Sequence, residues 1–213
     1  MARPFFYFEG VITINRRTSE LDAINSMLSI IGEAPLDSLD NGVLHADGAQ
    51  ARSILHRTSK QVQEEGWFFN REENFPLHPD AITQEIHIGN NVLSVDTEKL
   101  AKNITLRGNR LYDMTNHTYK FETTLNATLI LYLPFEELPE VAKEYIVIRA
   151  SRRFQAEAVG SETLHSLSEQ DEYRARANLM SEHVNNIDVN FSDPTYNSMF
   201  GTSAIRRVTR RCL

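Results

Sequence analysis

Hydrophobic positions recur at helical spacing in the first part of the chain, alternate through the middle, and return to helical spacing after residue 134. Leu21, Ile24, Met27, Leu28 and Ile31 share one face of a predicted helix from Ser19 to Ile31. Ser19 is its N-cap with Asp22 three residues later, Gly32 is the C-terminal stop, and Pro35 prevents continuation. A second helix is predicted from Asp47, with Asp47 and Gln50 as a capping box. Its face reads Ala51, Ile54, Leu55, Thr58 and Val62, and Gly66 ends it. The aromatic cluster Trp67, Phe68 and Phe69 follows at once, a natural anchor between layers.

From Phe75 to Leu133 the period falls to two: Ile86 and Ile88, Val92 and Val95, Ile104 and Leu106, Tyr119 and Phe121. Asn90 with Asn91, and Gly108 with Asn109, stand where hairpin turns need positive backbone angles. Ala127 to Leu133 is almost continuously apolar and predicts a strand covered on both faces. Pro134 and Pro139 bracket the return to helix, with Pro139 placed in a first turn. The third helix carries two apolar rows: Ala142, Ile146, Ala150, Phe154 and Ala158, and beside it Val141, Tyr145 and Ile148. Gly160 and Ser161 separate it from a fourth helix, to about His183, whose stripe of Leu164, Leu167, Ala175 and Leu179 is weaker and suits an outer position.

This order predicts an α+β fold: a four-helix bundle made by the N- and C-terminal helices, with an antiparallel β domain inserted between its halves. The divisions are an N-terminal extension (1–18), helices one and two (19–70), the β domain (71–134), helices three and four (135–186) and an extended C-terminal tail (187–213).

Composition adds exclusions. Apolar residues make up 41% and charged residues 24% of the 213, an ordinary globular balance that needs no staple. Cys212 is the single cysteine, which rules out an intrachain disulfide and a cysteine zinc site. No apolar run reaches the ~18 residues of a membrane helix, and Phe5, Phe6, Tyr7 and Phe8 are too few for a signal-peptide core. Assembly in the cytoplasm, with no membrane partner, is the expectation. A net charge of -7 argues against a body that grips nucleic acid.

Catalytic patterns are weak. Glu64 and Glu65, Glu72 and Glu73, and Glu136 and Glu137 are adjacent acids, but neighbours on a helix or strand do not face each other across a substrate. His45, His56, His78, His87, His117, His165 and His183 show no metal-binding spacing, and neither a phosphate loop nor a nucleophile elbow is present. No catalytic, metal or cofactor-binding residue is assigned, and no cofactor is expected.

Three stretches carry a resemblance. ELDAINSMLSIIGEAPLDSL (20–39) resembles the opening helix and turn of the tail tubular protein A family of short-tailed bacteriophages. AQARSILHRTSKQVQEEGWFFNREE (49–73) is similar to that family's second helix and its glycine, tryptophan and asparagine ending, here Gly66, Trp67 and Asn70. LPFEELPEVAKEYIVIRASRRFQ (133–155) resembles its return from strands into the third helix. The three occur in the family's order, and the resemblance spans roughly residues 19 to 200, while Met1 to Thr18 and the last dozen residues depart from it.

The resemblance implies a structural virion protein rather than an enzyme, a tail adaptor forming a dodecameric ring. Its partners would be further copies of itself, the portal protein, the tail nozzle of the tubular protein B type, and genomic DNA passing through without specific binding. On that reading Trp67, Phe68, Phe69, Tyr145, Ile148 and Phe154 are candidate subunit or core contacts. Arg206, Arg207, Arg210 and Arg211 are candidate portal contacts, and Arg149, Arg152 and Arg153 candidate channel-lining residues. The bland readings are a monomer's own core, a solvated tail, and arginines paired with nearby glutamates. The alternative function is a tail-borne hydrolase of host surface polysaccharide or cell wall. A DNA-binding module, resting on the four tail arginines, is a third.

Overall fold

A computed structural model describes residues 17–40, 45–97, 103–158 and 162–186, with side chains described except at 158 and 162–168. The expectations for residues 1–16, for the tail 187–213 with its four arginines, and for the side chains of Leu164 and Leu167 concern residues outside these. The fold is α+β, with four helices and antiparallel sheets among the described residues.

Helix α1 (Glu20–Ile31) starts as the sequence predicts: Ser19 Oγ accepts from the Asp22 amide while Asp22 reaches back to the Ser19 amide, and Gly32 closes the helix at φ 81°. Helix α2 (Ala46–Gln63) corrects the predicted cap, because His45, not Asp47, is its N-cap, its Nδ1 accepting from the Gly48 amide. The turn that follows is held by Gly66 at φ 74°.

Strand β1 (Arg71–Leu77) begins ahead of the predicted strand region and pairs antiparallel with β5 (Leu125–Leu131), which also pairs with β2 (Val92–Thr97), giving the order β1-β5-β2. β5 is therefore central, but only Ala127 and Leu129 are buried while Thr128 and Ile130 are half-buried, so it is not covered equally on both faces. The edge strand β1 is bulged between Glu72 and Phe75, where Asn74 has φ 56°, and carries Pro76, two features that discourage pairing with a further strand.

Strands β3 (Ile104–Arg107) and β4 (Arg110–Asp113) form a hairpin through Gly108 at φ 65°, as predicted, although Asn109 beside it does not take the positive φ expected of it. Asn90 and Asn91 do form a turn, but neither adopts a positive φ. Ile86 and Ile88 lie in a segment of isolated bridges rather than a strand, as do Tyr119 and Phe121. Their side chains explain the alternation nonetheless. Ile86, Ile88 and Phe121 join Leu77, Leu111, Ala127 and Leu129 in a core of their own.

Helix α3 (Glu140–Ala158) begins after Pro139, which stands just outside the helix rather than in its first turn and accepts from the Ala142 and Lys143 amides. It packs on α1, α2 and α4 (Glu162–Asn186), while α1 also packs on α2. Its four-spaced row Ala142, Ile146, Ala150 and Phe154 is fully buried, at the centre of a second core drawn from all four helices, including Ala175 and Leu179 of α4. Among the described residues no helix is long and apolar enough to cross a membrane.

Candidate functional site

The helices and the sheet meet where α2 ends. The positive φ of Gly66 favours glycine, and an added Cβ would also stand 2.8 Å from the side-chain tip of Ile130, which would have to move aside. Trp67 is buried, and its indole Nε1 donates to Val62 O at 2.7 Å. Asn70, also buried, accepts from the Trp67 amide at 2.8 Å and donates to Gln63 O at 2.9 Å and Leu131 O at 2.8 Å. Gln63 works from the other side, accepting from the Leu133 amide at 2.7 Å and donating to Leu133 O at 3.0 Å. Two buried side-chain amides thus tie the end of α2 to the exit of β5, with every amide hydrogen they present to this junction satisfied.

A charged seam joins α4 to α2 and α3. Arg149 and Arg176 both donate to Tyr145 Oη at 3.1 Å, and Arg176 pairs with Glu65 at 2.9 Å. Arg152 pairs with Glu172 at 2.6 Å, while Arg149 lies 3.6 Å from both Glu65 and Glu172. Arg153 donates to Gln61 and, at 3.3 Å, to Thr58. All three candidate channel arginines are therefore engaged within the subunit, two of them by carboxylates. Hydrogen bonding to Tyr145 first, then Glu65, holds the Arg176 pKa above its ordinary value. At the far end of the seam His183 Nδ1 accepts from the Phe68 amide at 3.0 Å, and the imidazole meets Trp67 edge to face at 5.4 Å. Burial, and then Arg71, press the His183 pKa below its ordinary value.

A third arrangement fixes the approach to α1. Lys143 is fully buried, its ammonium donating to Thr18 O at 2.8 Å and pairing with Glu140 at 3.2 Å. Glu140 accepts from Thr18 Oγ1 at 2.8 Å. Burial raises the Glu140 pKa, but the Thr18 hydrogen bonds and Lys143 outweigh it, leaving the group below its ordinary value. Beside this clamp runs an open groove. α1 and α4 each pack on α3 but barely touch one another, leaving a cleft of about 570 Å³ floored by Val147 and Ile148 and walled by Ile30. A second hollow of about 350 Å³ continues it along α1 to Thr18 and Val141.

The candidate contact residues fall into two groups. Trp67, Tyr145 and Phe154 are buried in the helical core, with Phe68 and Phe69 packed partly buried against it and edge to face with each other at 5.4 Å. Ile148 is different, because it also faces the groove. Sequence reasoning missed Gln63, Lys143, Glu172 and Arg176. Only Arg176 and Glu172, four apart on a predicted helix, carried a signal. Of the adjacent acids, Glu65 is held by Arg176, Glu73 by Arg71 at 3.0 Å, and Glu136 by the Glu20 amide at 2.8 Å. No group of three or more His, Cys, Asp or Glu suited to a metal occurs among the described residues.

What these residues build is a framework of satisfied amides, internal ion pairs and an open, largely polar groove, and the comparisons place it in the class of bacteriophage tail structural proteins. A family profile described as tail tubular protein matches residues 21–189. The chain belongs to the tail tubular protein family, and hence to the virion tail. Among curated proteins it is similar to tail tubular protein A of Klebsiella phage KP34, with 26% identity over 167 residues, covering 78% of this chain and 88% of that one.

Proposed function

We propose that the chain is the tail adaptor subunit: it closes into a ring, a dodecamer in the virion, that joins the portal to the tail nozzle and surrounds the path of the ejected genome. The family match across both helical segments and the intervening strands carries this reading. The subunit is organised as a four-helix bundle from 19–70 and 135–186, with residues 71–134 inserted as a β unit. The two separate hydrophobic cores support that division. A ring requires two different lateral faces on each subunit, and the groove over α3 is suited to be one of them. The channel wall is better sought away from Arg149, Arg152 and Arg153, whose polar partners lie within the same subunit.

Light scattering on the purified chain, alone and mixed with its portal protein, tests this reading. The expected result is a closed ring with a central hole in electron micrographs, free or on the portal, and a monomer that ignores the portal would refute it. Arg206, Arg207, Arg210 and Arg211 are assigned to the portal contact as cations for an acidic surface. Deleting residues 205–213 should reduce portal attachment at least tenfold at low salt, and undiminished attachment would remove that assignment.

A further inference from the structure

Strands β3 and β4 turn Ile104, Leu106 and Leu111 toward the core of the β unit, and alternation puts Arg107, Arg110 and Tyr112 on the outer face. There the side chains stack in a row. Arg107 lies 3.7 Å from the centroid of Tyr112, Tyr112 meets Tyr119 edge to face at 4.8 Å, and Arg110 lies 4.4 Å over Tyr119. Glu85 closes one end of the row, accepting from Arg110 at 2.9 and 3.1 Å. The other end is open. Arg107 is exposed and makes no hydrogen bond or ion pair among the described residues. With one side of its guanidinium stacked on Tyr112, the donors along its edge stay outward, a fork already ordered for a carboxylate.

The charge around this end is positive. Lys120, opposite Glu85 in an isolated bridge, is exposed and makes no ion pair among the described residues. Against Arg107, Arg110 and Lys120 stand Glu85 and, beyond the buried Phe121, the exposed Glu122, on a chain whose formal net charge is -7. Two uncommitted cations are too few to hold a nucleic-acid backbone, because that binding grows with the number of phosphates neutralised. They match a pair of carboxylates.

The chain supplies such a pair. Residues 18–51 are its longest stretch without lysine or arginine and hold six acids. Of these, Glu20 is bound to Arg52 and His56, and Asp22 to the α1 cap. Asp37 and Asp40, in the connection from α1 to α2, are exposed and make no ion pair among the described residues. Arg52, which reaches Leu39 O between them at 3.3 Å, is itself held by Glu20 at 2.8 Å. The basic face belongs to the β unit and the acidic connection to the helices, so a copy that uses both meets two different neighbours, the pairing from which a ring is made.

We infer that the open end of the stack, Arg107 on Tyr112 with Lys120 beside it, docks on Asp37 and Asp40 of a second copy of this chain as part of the lateral contact of the ring. The inference rests on the ring reading above and adds a pairing of charges that builds it.

The test uses the full chain at low salt, where a solvated pairing counts most. Arg107→Glu with Lys120→Glu reverses one side, and Asp37→Arg with Asp40→Arg reverses the other. Each reversed chain should keep the wild-type circular dichroism and lower the assembled fraction in light scattering at least tenfold, free or on the portal. All four changes in one chain should bring assembly back to within threefold of the wild type, because the pairing is restored with its signs exchanged. Full assembly by either reversed chain, or a loss that the combined chain does not recover, overturns the inference while leaving the ring reading intact. A ring that forms unchanged with Arg107→Glu and Lys120→Glu but no longer holds the portal, the nozzle or duplex DNA assigns the face to that partner and overturns the inference as well. Failure of the wild-type chain to form a ring, free or on its portal, overturns the ring reading and the inference together.

Discussion

Gly66 shows how much one residue decides. Its positive φ is uncomfortable for any residue with a Cβ, and the side chain of Ile130 already occupies the space that Cβ would need. Gly66→Ala should therefore destabilise the folded chain by about 2 kcal/mol, more than an ordinary glycine-to-alanine change in a loop. Thermal denaturation measures this directly, and an unchanged melting temperature would mean that the close approach of β5 relaxes freely. Lys143 makes a related point with charge: a buried ammonium persists here because a carbonyl, a carboxylate and the Phe135 ring at 5.5 Å surround it.

At the scale of elements, α4 is held by contacts of unequal kinds. Its buried stripe is short, and the charged seam to Glu65 and Tyr145 is partly exposed, so each ion pair contributes under about 1 kcal/mol. Its last turn is fastened by the His183 imidazole, which must be unprotonated at Nδ1 to accept from Phe68. Because the folded-state pKa lies below the ordinary 6.5, this contribution is complete above that value and is lost as the pH falls through the lower folded one. Urea midpoints should consequently drop more between pH 7.5 and pH 5 in the wild type than in His183→Gln, whose carbonyl accepts at both. Parallel pH profiles for the two chains would show that the latch does not titrate in this range.

The whole molecule depends on the junction between its two cores. Asn70 and Gln63 couple them through hydrogen bonds to Leu131 and Leu133, and Asn70 alone makes three. Asn70→Ala should cost about 3 kcal/mol, since it leaves buried backbone groups without partners. It should also loosen the cooperativity of unfolding. Trp67, the single tryptophan, reports the helical core, whereas far-ultraviolet circular dichroism reports both parts. The two signals should coincide through denaturation of the wild type and separate in Asn70→Ala. Coincident curves in the variant would place the coupling elsewhere.

Local chemistry made much of this architecture readable along the chain. The Ser19–Asp22 capping box, the Gly32 stop, the Gly108 turn and the four-spaced row on α3 each depend on residues a few positions apart, and each is found where the pattern puts it. The pattern failed at the start of α2 for a local reason, because an imidazole is an unusual cap: His45 takes the place of Asp47 with the Gly48 amide only three residues away. Elsewhere it failed where partners are remote in sequence: Ile86 and Ile88 keep their inward direction without a regular ladder. The partners of the α3 arginines come from α2 and α4, and spacing along α3 could not name them. The exposed apolar side of α4, Tyr173, Met180 and Val184, was hidden for another reason: it lies opposite the buried Ala175 and Leu179, and two apolar stripes on opposite sides of one helix nearly cancel, so the sequence reads as a weak, polar helix. Only the packing of α3 against one stripe distinguishes a buried face from an open one, because burial is a property of the assembled layers and not of the residues that supply them.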